Sequence, residues 1–438
     1  MAAEELVAHL FLDLVIIVVA AKLVGELAER VGQSAVLGEL LAGIIIGPSL
    51  LGWIPNPLAA GAGSEGEVLA FLAELGVVLL LFEVGLESDV KGLMKVGGAA
   101  SLVAVFGIVF SFAFGFAASW GMARVTDLWA DRTLLHVFMG ATFTATSVGI
   151  TARVFSDLGR IHSSESRIVL GAAVLDDIGG LIILGVVSAL LAGEALTTLG
   201  ISWLVVKSLG AWLLAVVVGV LVVPRIFDWL GSKFRIRGFA LSFGVVVMLL
   251  AAWAATLIPM AAIVGAFAGG LVLGQAKLGH KVFEQLRPVG TLFIPIFFVL
   301  LGVMVDLRAL AGDPVLVIGA VIALTTVAIA GKLLCGLGTL RTGASRYVVG
   351  VAMVPRGEVG LIFALLGLRA IEGQEPLLDD FQYGIIVAVV MLTTFVTPIW
   401  LKRLGNRFHE VAMGPLEAHK KEGTGRILEP MTGTEEPK

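Results

Sequence analysis

Apolar segments of about twenty residues follow one another along nearly the whole chain, and they constrain the fold more than any other feature. Because about 20 apolar residues in a helix cross the hydrocarbon core of a bilayer, the sequence predicts an all-α polytopic membrane protein. Hydrophobic residues make up 58% of the chain and charged residues 15%, so we expect no soluble domain. The protein is also expected not to be an enzyme and to have no nucleic-acid partner. Thirteen spans are predicted, at residues 6–25, 34–53, 67–86, 96–123, 134–155, 168–193, 200–224, 238–257, 259–276, 289–306, 314–338, 345–369 and 380–402.

Lysine and arginine residues are distributed unevenly between alternate loops. One set of loops carries fifteen of them and the other set carries four. Since cytoplasmic loops carry the excess of basic residues, the N-terminus is predicted outside and the C-terminus inside. The polar segment 403–438 is expected to be a disordered cytoplasmic tail. The single cysteine, Cys335, excludes an intramolecular disulfide and a cysteine metal cluster.

Two neighbouring aspartates, Asp176 and Asp177, interrupt a predicted span that is otherwise uncharged. A carboxylate at that depth costs roughly 2.5 to 3.5 kcal/mol on insertion scales unless it is compensated, so the pair indicates a site for a transported cation or proton. Lys332 lies in the eleventh span. With about 1.5 Å of rise per residue, Asp176 and Lys332 both lie roughly 14 Å from the cytoplasmic ends of their spans. Opposite charges at one level are expected to pair, and a purely structural ion pair is the alternative.

Weak internal repeats link the two halves of the chain. Residues 85–93 match 302–310, and residues 42–47 match 269–274. Both matches are displaced by seven spans, which puts the copies in opposite orientations and predicts inverted repeats, as in many secondary transporters. Chance similarity among small apolar residues is the alternative.

With the same displacement of seven spans, the fifth span corresponds to the twelfth. Each contains residues that interrupt a helix, namely hydroxyls and a glycine in 142–151 and a proline and glycines in 355–360. Broken helices at matching positions predict an ion site near the middle of the bilayer, with Thr146, Arg356 and Glu358 close to it. The alternative to broken helices is a pair of ordinary proline and glycine kinks. The alternative to a role at the ion site is that Arg356 and Glu358 neutralise each other.

In this order and spacing, the residues resemble those of bacterial sodium/proton antiporters of the monovalent cation:proton antiporter-2 family. The most specific pieces are residues 144–151, 171–177, Lys332 and 355–360, and the resemblance extends over about residues 6–402. It implies the sodium/proton antiporter fold, with two discontinuous crossing helices, and a homodimer in the bacterial inner (cytoplasmic) membrane. It also implies a division of the chain into a dimerisation domain (1–95 and 238–313), a linker helix (194–237) and a core ion-transport domain (96–193 and 314–402).

The same resemblance implies roles for individual residues. Asp177 looks like the main carboxylate that binds cations and protons, and Asp176 looks like the partner of Lys332 when no sodium is bound. Thr146, Glu358 and Arg356 look like supporting residues, with Na⁺ held at Asp177 together with Asp176 and Thr146. The expected function is exchange of Na⁺ or Li⁺ for H⁺ by alternating access, without a cofactor. An adjacent aspartate pair with a lysine resembles the electrogenic members, which predicts two protons per sodium, with Lys332 or Asp176 carrying the second proton.

Three other functions deserve comparison with this one. A K⁺/H⁺ antiporter of the same fold is the closest alternative, because residue identities do not fix the ionic radius that a site selects. An ion channel of the same architecture is less favoured. An intramembrane aspartyl protease is disfavoured, because neighbours in one helix point about 100° apart and cannot share a proton.

Overall fold

The computed structural model describes residues 3–57, 63–88, 90–126, 129, 132–191, 198–234, 238–257, 261–305, 308, 314–339, 342–368 and 376–405. Within these ranges the protein is entirely helical, which confirms the predicted all-α class. Eight of the described helices are long and apolar enough to cross a membrane by length and composition. Most of the predicted tail, from residue 406 onward, lies outside the described residues.

Each predicted apolar segment contains one helix or a pair of helices. The backbone groups of a chain in lipid must be satisfied internally, and a helix does this within one segment. A 3-10 helix, Leu334–Thr339, directly follows α12. The described helices are α1 (Ala3–Arg30), α2 (Ala35–Ile46), α3 (Gly63–Glu87), α4 (Val90–Val125), α5 (Thr133–Thr142), α6 (Val148–Asp157), α7 (Ser164–Leu191), α8 (Thr198–Lys233), α9 (Phe239–Thr256), α10 (Ala262–Leu273), α11 (Gly279–Val303), α12 (Pro314–Leu333), α13 (Arg346–Ala352), α14 (Glu358–Leu368) and α15 (Asp380–Arg403).

Several helix ends differ from the predicted spans. Helix α8 continues to Lys233, past Pro224, where the predicted span ended. Helix α11 begins ten residues earlier than predicted and contains Pro288 and Pro295. Prolines are tolerated inside membrane helices because neighbouring groups satisfy the freed backbone. Helix α2 is shorter than predicted, because Gly47 adopts an extended backbone (φ −78°, ψ −172°) and ends it.

The helices pack in two groups. Helices α1, α2, α3, α9, α10 and α11 contact one another, and α4, α5, α7, α12, α13, α14 and α15 form the second group. Helix α6 packs against α7 and α15 of the second group and also against α2 and α3 of the first. We call this boundary between α6 and the first group the seam. An added Cβ on Gly149 of α6 would meet only side chains there, the nearest being Val77 at 3.1 Å.

Two glycine-lined crossings hold the first group together. Helix α2 crosses α11 where Gly43 meets Gly302, and α3 crosses α10 where Gly85 meets Gly270. An added Cβ on Gly43 or Gly270 would lie 1.9 or 2.2 Å from a carbonyl oxygen of the facing helix, so only glycine allows this approach. Gly43 corresponds to Gly270 in the sequence matches, and Gly85 corresponds to Gly302. Each crossing therefore joins one of the matching segments 42–47 and 269–274 to one of the matching segments 85–93 and 302–310.

Candidate functional site

Two interrupted helices meet inside the second group. Residues 143–147 separate α5 from α6, and residues 353–357 separate α13 from α14. The backbone N–H of Ser147 donates to the carbonyl oxygen of Pro355 at 2.8 Å. The Ser147 hydroxyl also accepts from the backbone at the first turn of α6, which supplies the cap that a helix starting inside the protein requires. The two unwound segments are thus bonded directly to each other.

Threonine hydroxyls provide further bonds between the interrupted helices. Thr146 Oγ1 donates to the carbonyl oxygen of Met353 at 3.3 Å, and Thr151 Oγ1 donates to that of Ala352 at 2.8 Å. Both carbonyls belong to the end of α13, where backbone acceptors lose their partners in the helix. The hydroxyl-rich run 142–151 therefore satisfies the freed carbonyls of the other interrupted helix.

A buried ion pair lies beside these segments. Lys332 Nζ is 3.0 Å from Asp176 Oδ2 and 3.3 Å from Oδ1, and both side chains are fully buried. The same ammonium donates to the carbonyl oxygen of Thr144 at 2.6 Å. Lys332 is the next-to-last residue of α12, where the helix passes into the 3-10 helix. The second group therefore brings together one aspartate of the pair, the intramembrane lysine and the first interrupted helix.

Arg356 provides a second buried cation for the same backbone. Its Nη1 donates to the carbonyl oxygens of Phe143 and of Ala145, the latter at 3.0 Å, and its Nη2 donates to that of Ala328 at 3.3 Å. With Lys332 on Thr144, three consecutive carbonyls after α5 accept from buried cations. The C-terminal end of a helix carries partial negative charge, so these two side chains compensate the end of α5.

Asp177 and Glu358 are the remaining predicted site residues. Asp177 follows Asp176 on α7 and is 5% exposed, so the second carboxylate is also buried. Glu358 is the first residue of α14, but its side chain lies outside the described part of the structure. The described hydrogen bonds of Arg356 go to backbone carbonyls of α12 and of the unwound segment after α5, and its guanidinium lies 5.1 Å from the centre of the Phe143 ring.

Some contacts of the site were not foreseen from the sequence. The Thr394 hydroxyl on α15 donates to the carbonyl oxygen of Arg356. The sequence signal that could have predicted this contact is the group of three threonines in an apolar helix, Thr393, Thr394 and Thr397, all of which are buried. The acceptor carbonyls of Thr144 and Ala328 could not have been found in this way, because a backbone carbonyl belongs to every residue type.

This arrangement suits reversible binding of a small cation. Unwound backbone carbonyls and helix ends form the ion sites of many secondary transporters, and paired ionisable residues inside a membrane protein mark ion pathways. A buried carboxylate can bind either a proton or a small cation, so it can exchange one for the other. The described residues contain no cluster of three or more His, Cys, Asp or Glu side chains suited to a resident metal ion.

Comparison with known proteins identifies the family. The family model described as "Sodium/hydrogen exchanger, transmembrane" matches residues 15–407. The chain is 35% identical to the high-affinity Na⁺/H⁺ antiporter NhaS3 of Synechocystis sp., over 91% of this chain and 90% of that protein. It is 34% identical to the Na⁺/H⁺-K⁺ antiporter GerN of Bacillus cereus, over 90% of this chain and 95% of that protein.

A solved structure shares the fold. The sodium proton antiporter MjNhaP1 from Methanocaldococcus jannaschii superposes with a TM-score of 0.63, covering 93% of this chain and 99% of that one. The sequence identity is 17%, so this likeness concerns the fold alone. The family predicted from the motifs is confirmed by the family model and by the two relatives: the chain belongs to the sodium/hydrogen exchanger family of transmembrane proteins.

Proposed function

We propose that this protein exchanges Na⁺, or Li⁺, for H⁺ across the membrane as a secondary active transporter. Membership of the sodium/hydrogen exchanger family and similarity to two antiporters support the reaction. The single observation that carries the mechanism is the fully buried pair of Asp176 and Lys332 next to an unwound helix. A buried pair is costly to keep for stability alone, so we assign it to ion exchange.

Competition at Asp177 is the core of the proposed mechanism. In one state Asp177 carries a proton while Asp176 pairs with Lys332. In the other state Na⁺ binds Asp177, with Asp176 and Thr146 as further ligands, and Asp176 leaves Lys332. Since one site holds either ion and faces one side of the membrane at a time, the uptake of one ion requires the release of the other.

The lysine gives the proposed stoichiometry of two protons per sodium. When Na⁺ takes Asp176, an ammonium left at Lys332 is a buried charge without its counter-ion, which is strongly unfavourable. Lys332 then releases a proton in addition to the one from Asp177. Two protons move against one Na⁺, and the exchange is electrogenic. Arg356 keeps its charge throughout, because a guanidinium does not deprotonate in proteins, and it holds the carbonyls of the unwound segment.

The proposed architecture has thirteen spans, an external N-terminus and a cytoplasmic C-terminus. Helices α5 with α6 and α13 with α14 count as one interrupted span each. The packing of the helices in two groups supports the division into a dimerisation domain and a core domain, joined by α8. The exposed apolar side chains along α1, such as Phe11, Val15 and Leu23, suit a lipid or homodimer contact in a bacterial inner membrane.

A K⁺/H⁺ exchange is the second candidate, because the name of the relative GerN includes K⁺. Purified protein in proteoliposomes with a trapped pH dye discriminates between the candidates. We expect saturable proton efflux on addition of Na⁺ or Li⁺ and much weaker efflux with K⁺. Equal efflux with K⁺ would favour the second candidate. A flux that rises linearly with cation concentration would indicate a channel and contradict both.

A further inference from the structure

A second group of ionisable side chains lies at the seam, far along α6 from the ion pair. Glu39 on α2 is within electrostatic reach of Arg153 and Asp157, which lie one turn apart on α6. Arg153 Nε is 3.0 Å from Asp157 Oδ1. We call these three residues the seam cluster. It contains two carboxylates and one guanidinium, contributed by both helix groups.

Glu39 is the unusual member of the seam cluster. It is 3% exposed, and its Oε2 accepts no hydrogen bond from the described residues. Two bases are near it, but each is engaged elsewhere, since Arg153 contacts Asp157 and Lys22 Nζ donates to the carbonyl oxygen of Thr291 at 3.2 Å. A buried carboxylate oxygen without a donor is strongly unfavourable. Glu39 is therefore a buried acceptor suited to a further cation.

The position of the seam cluster connects it to the ion site. Helix α6 begins at Val148, directly after the unwound segment that accepts from Lys332 and Arg356, and ends at Asp157. Its ten residues span about 15 Å. The side chains of Arg153 and Asp157 are about a quarter exposed, 23% and 24%, whereas Glu39 is buried. The cluster thus leads from the accessible end of α6 toward the interior.

We propose that Glu39 and Asp157 form a staging site for the transported monovalent cation, and that Arg153 is the counter-charge which an arriving Na⁺ displaces from Asp157. This inference rests on the proposed Na⁺/H⁺ exchange and on the cytoplasmic location of this end of α6. Carboxylate oxygens are the ligands that hard cations prefer. An excess of negative charge raises the local concentration of cations. A cation held here lies at the far end of α6 from the unwound segment that accepts from Lys332.

The staging site predicts opposite effects for its acid and its base. Glu39→Gln removes a ligand and should raise the KM for cytoplasmic Na⁺ about tenfold, the factor that corresponds to roughly 1.4 kcal/mol. Arg153→Gln removes the competing cation and should lower that KM. The maximal exchange rate should change little in both variants. If Glu39 and Arg153 had only a structural role, or only held the two helix groups together, both substitutions would instead change the KM in the same direction.

Everted membrane vesicles measure these constants, because they expose the cytoplasmic face to added Na⁺. Proton movement is followed with a ΔpH dye over a range of Na⁺ concentrations. Asp13→Asn is the matched control. Like Glu39, Asp13 is buried, at 5% exposed, and has a carboxylate oxygen without a described donor. It lies near Glu65, away from the seam cluster. This substitution should leave the KM unchanged. Glu39→Asp, which keeps the charge, should restore most of the affinity.

Two different failures are distinguishable. Wild-type vesicles without Na⁺-dependent proton movement would refute the proposed function itself. Exchange by the wild type together with an unchanged KM in Glu39→Gln, or with a raised KM in Arg153→Gln, would overturn the staging site alone. A lowered maximal rate of Glu39→Gln that Glu39→Asp does not restore would assign Glu39 to packing and also overturn the staging site.

Discussion

Lys332 Nζ is closer to the carbonyl oxygen of Thr144, at 2.6 Å, than to either oxygen of Asp176, at 3.0 and 3.3 Å. The ammonium therefore joins α12 to the unwound backbone as well as to the aspartate on α7. A change in the charge of Lys332 alters both bonds at once. In the proposed mechanism, the occupancy of the carboxylates is in this way coupled to the shape of the interrupted helix.

Removing one member of this buried pair should destabilise the protein. An uncompensated buried charge typically costs about 3–5 kcal/mol, so we expect Lys332→Gln to lower the Tm of the detergent-purified protein clearly. The double variant Asp176→Asn/Lys332→Gln should recover a large part of the loss, because no charge is then left unpaired. A double variant as unstable as the sum of both single variants would contradict a direct coupling.

Loss of the ammonium should also change the stoichiometry. If Lys332 releases the second proton, Lys332→Ala exchanges one proton per Na⁺ instead of two. The reversal potential in proteoliposomes with imposed Na⁺ and pH gradients measures this ratio directly. Transport by Lys332→Ala with the ratio of the wild type would refute the role of the lysine in proton transfer.

Asp177→Asn should abolish exchange. The amide keeps the shape of the side chain but binds neither a proton nor a cation with the charge of a carboxylate. We expect Na⁺-dependent proton efflux at the level of liposomes without protein, while the Tm stays near that of the wild type. Asp13→Asn, an equally buried substitution on α1, should retain exchange. Sodium-dependent efflux by Asp177→Asn would remove this residue from the mechanism.

Arg356→Lys should lower both the stability and the transport rate, although it keeps the positive charge. The guanidinium reaches carbonyls on both sides of it, at Ala145 and at Ala328, and a single ammonium lacks this planar fork. We expect a loss of stability of roughly 1–3 kcal/mol, in the range for a buried acceptor left without its donor, and a lower maximal rate. Thermal unfolding and Na⁺-driven efflux measure the two effects. A lysine variant with wild-type values would show that charge alone suffices at this position.

Gly43→Ala should disrupt the crossing of α2 and α11. The added Cβ would lie 1.9 Å from the carbonyl oxygen of Val299, so the helices must separate. Gly97→Ala on α4 is the matched control, because no atom lies within 4 Å of its added Cβ. In a helix that change should be neutral or stabilising by about 0.5–1 kcal/mol. Similar Tm values for the two variants would contradict the close approach.

The sequence was sufficient to predict the features that depend on the length of the apolar segments, on charge and on residue type. Apolar length predicted the helices, and counting helical rise put Asp176 and Lys332 at one level, where their charged atoms are in contact. Hydroxyl, proline and glycine content predicted the two interruptions, because these residues weaken regular helical bonding. The motifs at 144–151, 171–177 and 355–360, together with Lys332, were also sufficient to identify the family.

Other features depended on tertiary contacts that a sequence does not display. Pro224 was taken as the end of a helix, yet α8 continues through it, since neighbours decide whether a proline ends a membrane helix. Arg356 was compared with Glu358 because the two are close in sequence, whereas its described hydrogen bonds go to carbonyls of residues far along the chain. Glu39 is the only charged residue of the predicted span 34–53, and an ionisable residue inside a span was the signal that could have found it, but its partners depend on packing between α1, α2 and α6.

The two glycine crossings restrict how the protein can change shape. Where backbones touch, as at Gly43 with Gly302 and Gly85 with Gly270, no layer of side chains exists that could rearrange between the helices. These four helices therefore form a rigid frame. At Gly149 of α6, by contrast, the nearest atoms of the first group belong to side chains, which can rearrange when one surface moves past the other. We expect displacement of one half of the molecule relative to the other to meet its lowest resistance there.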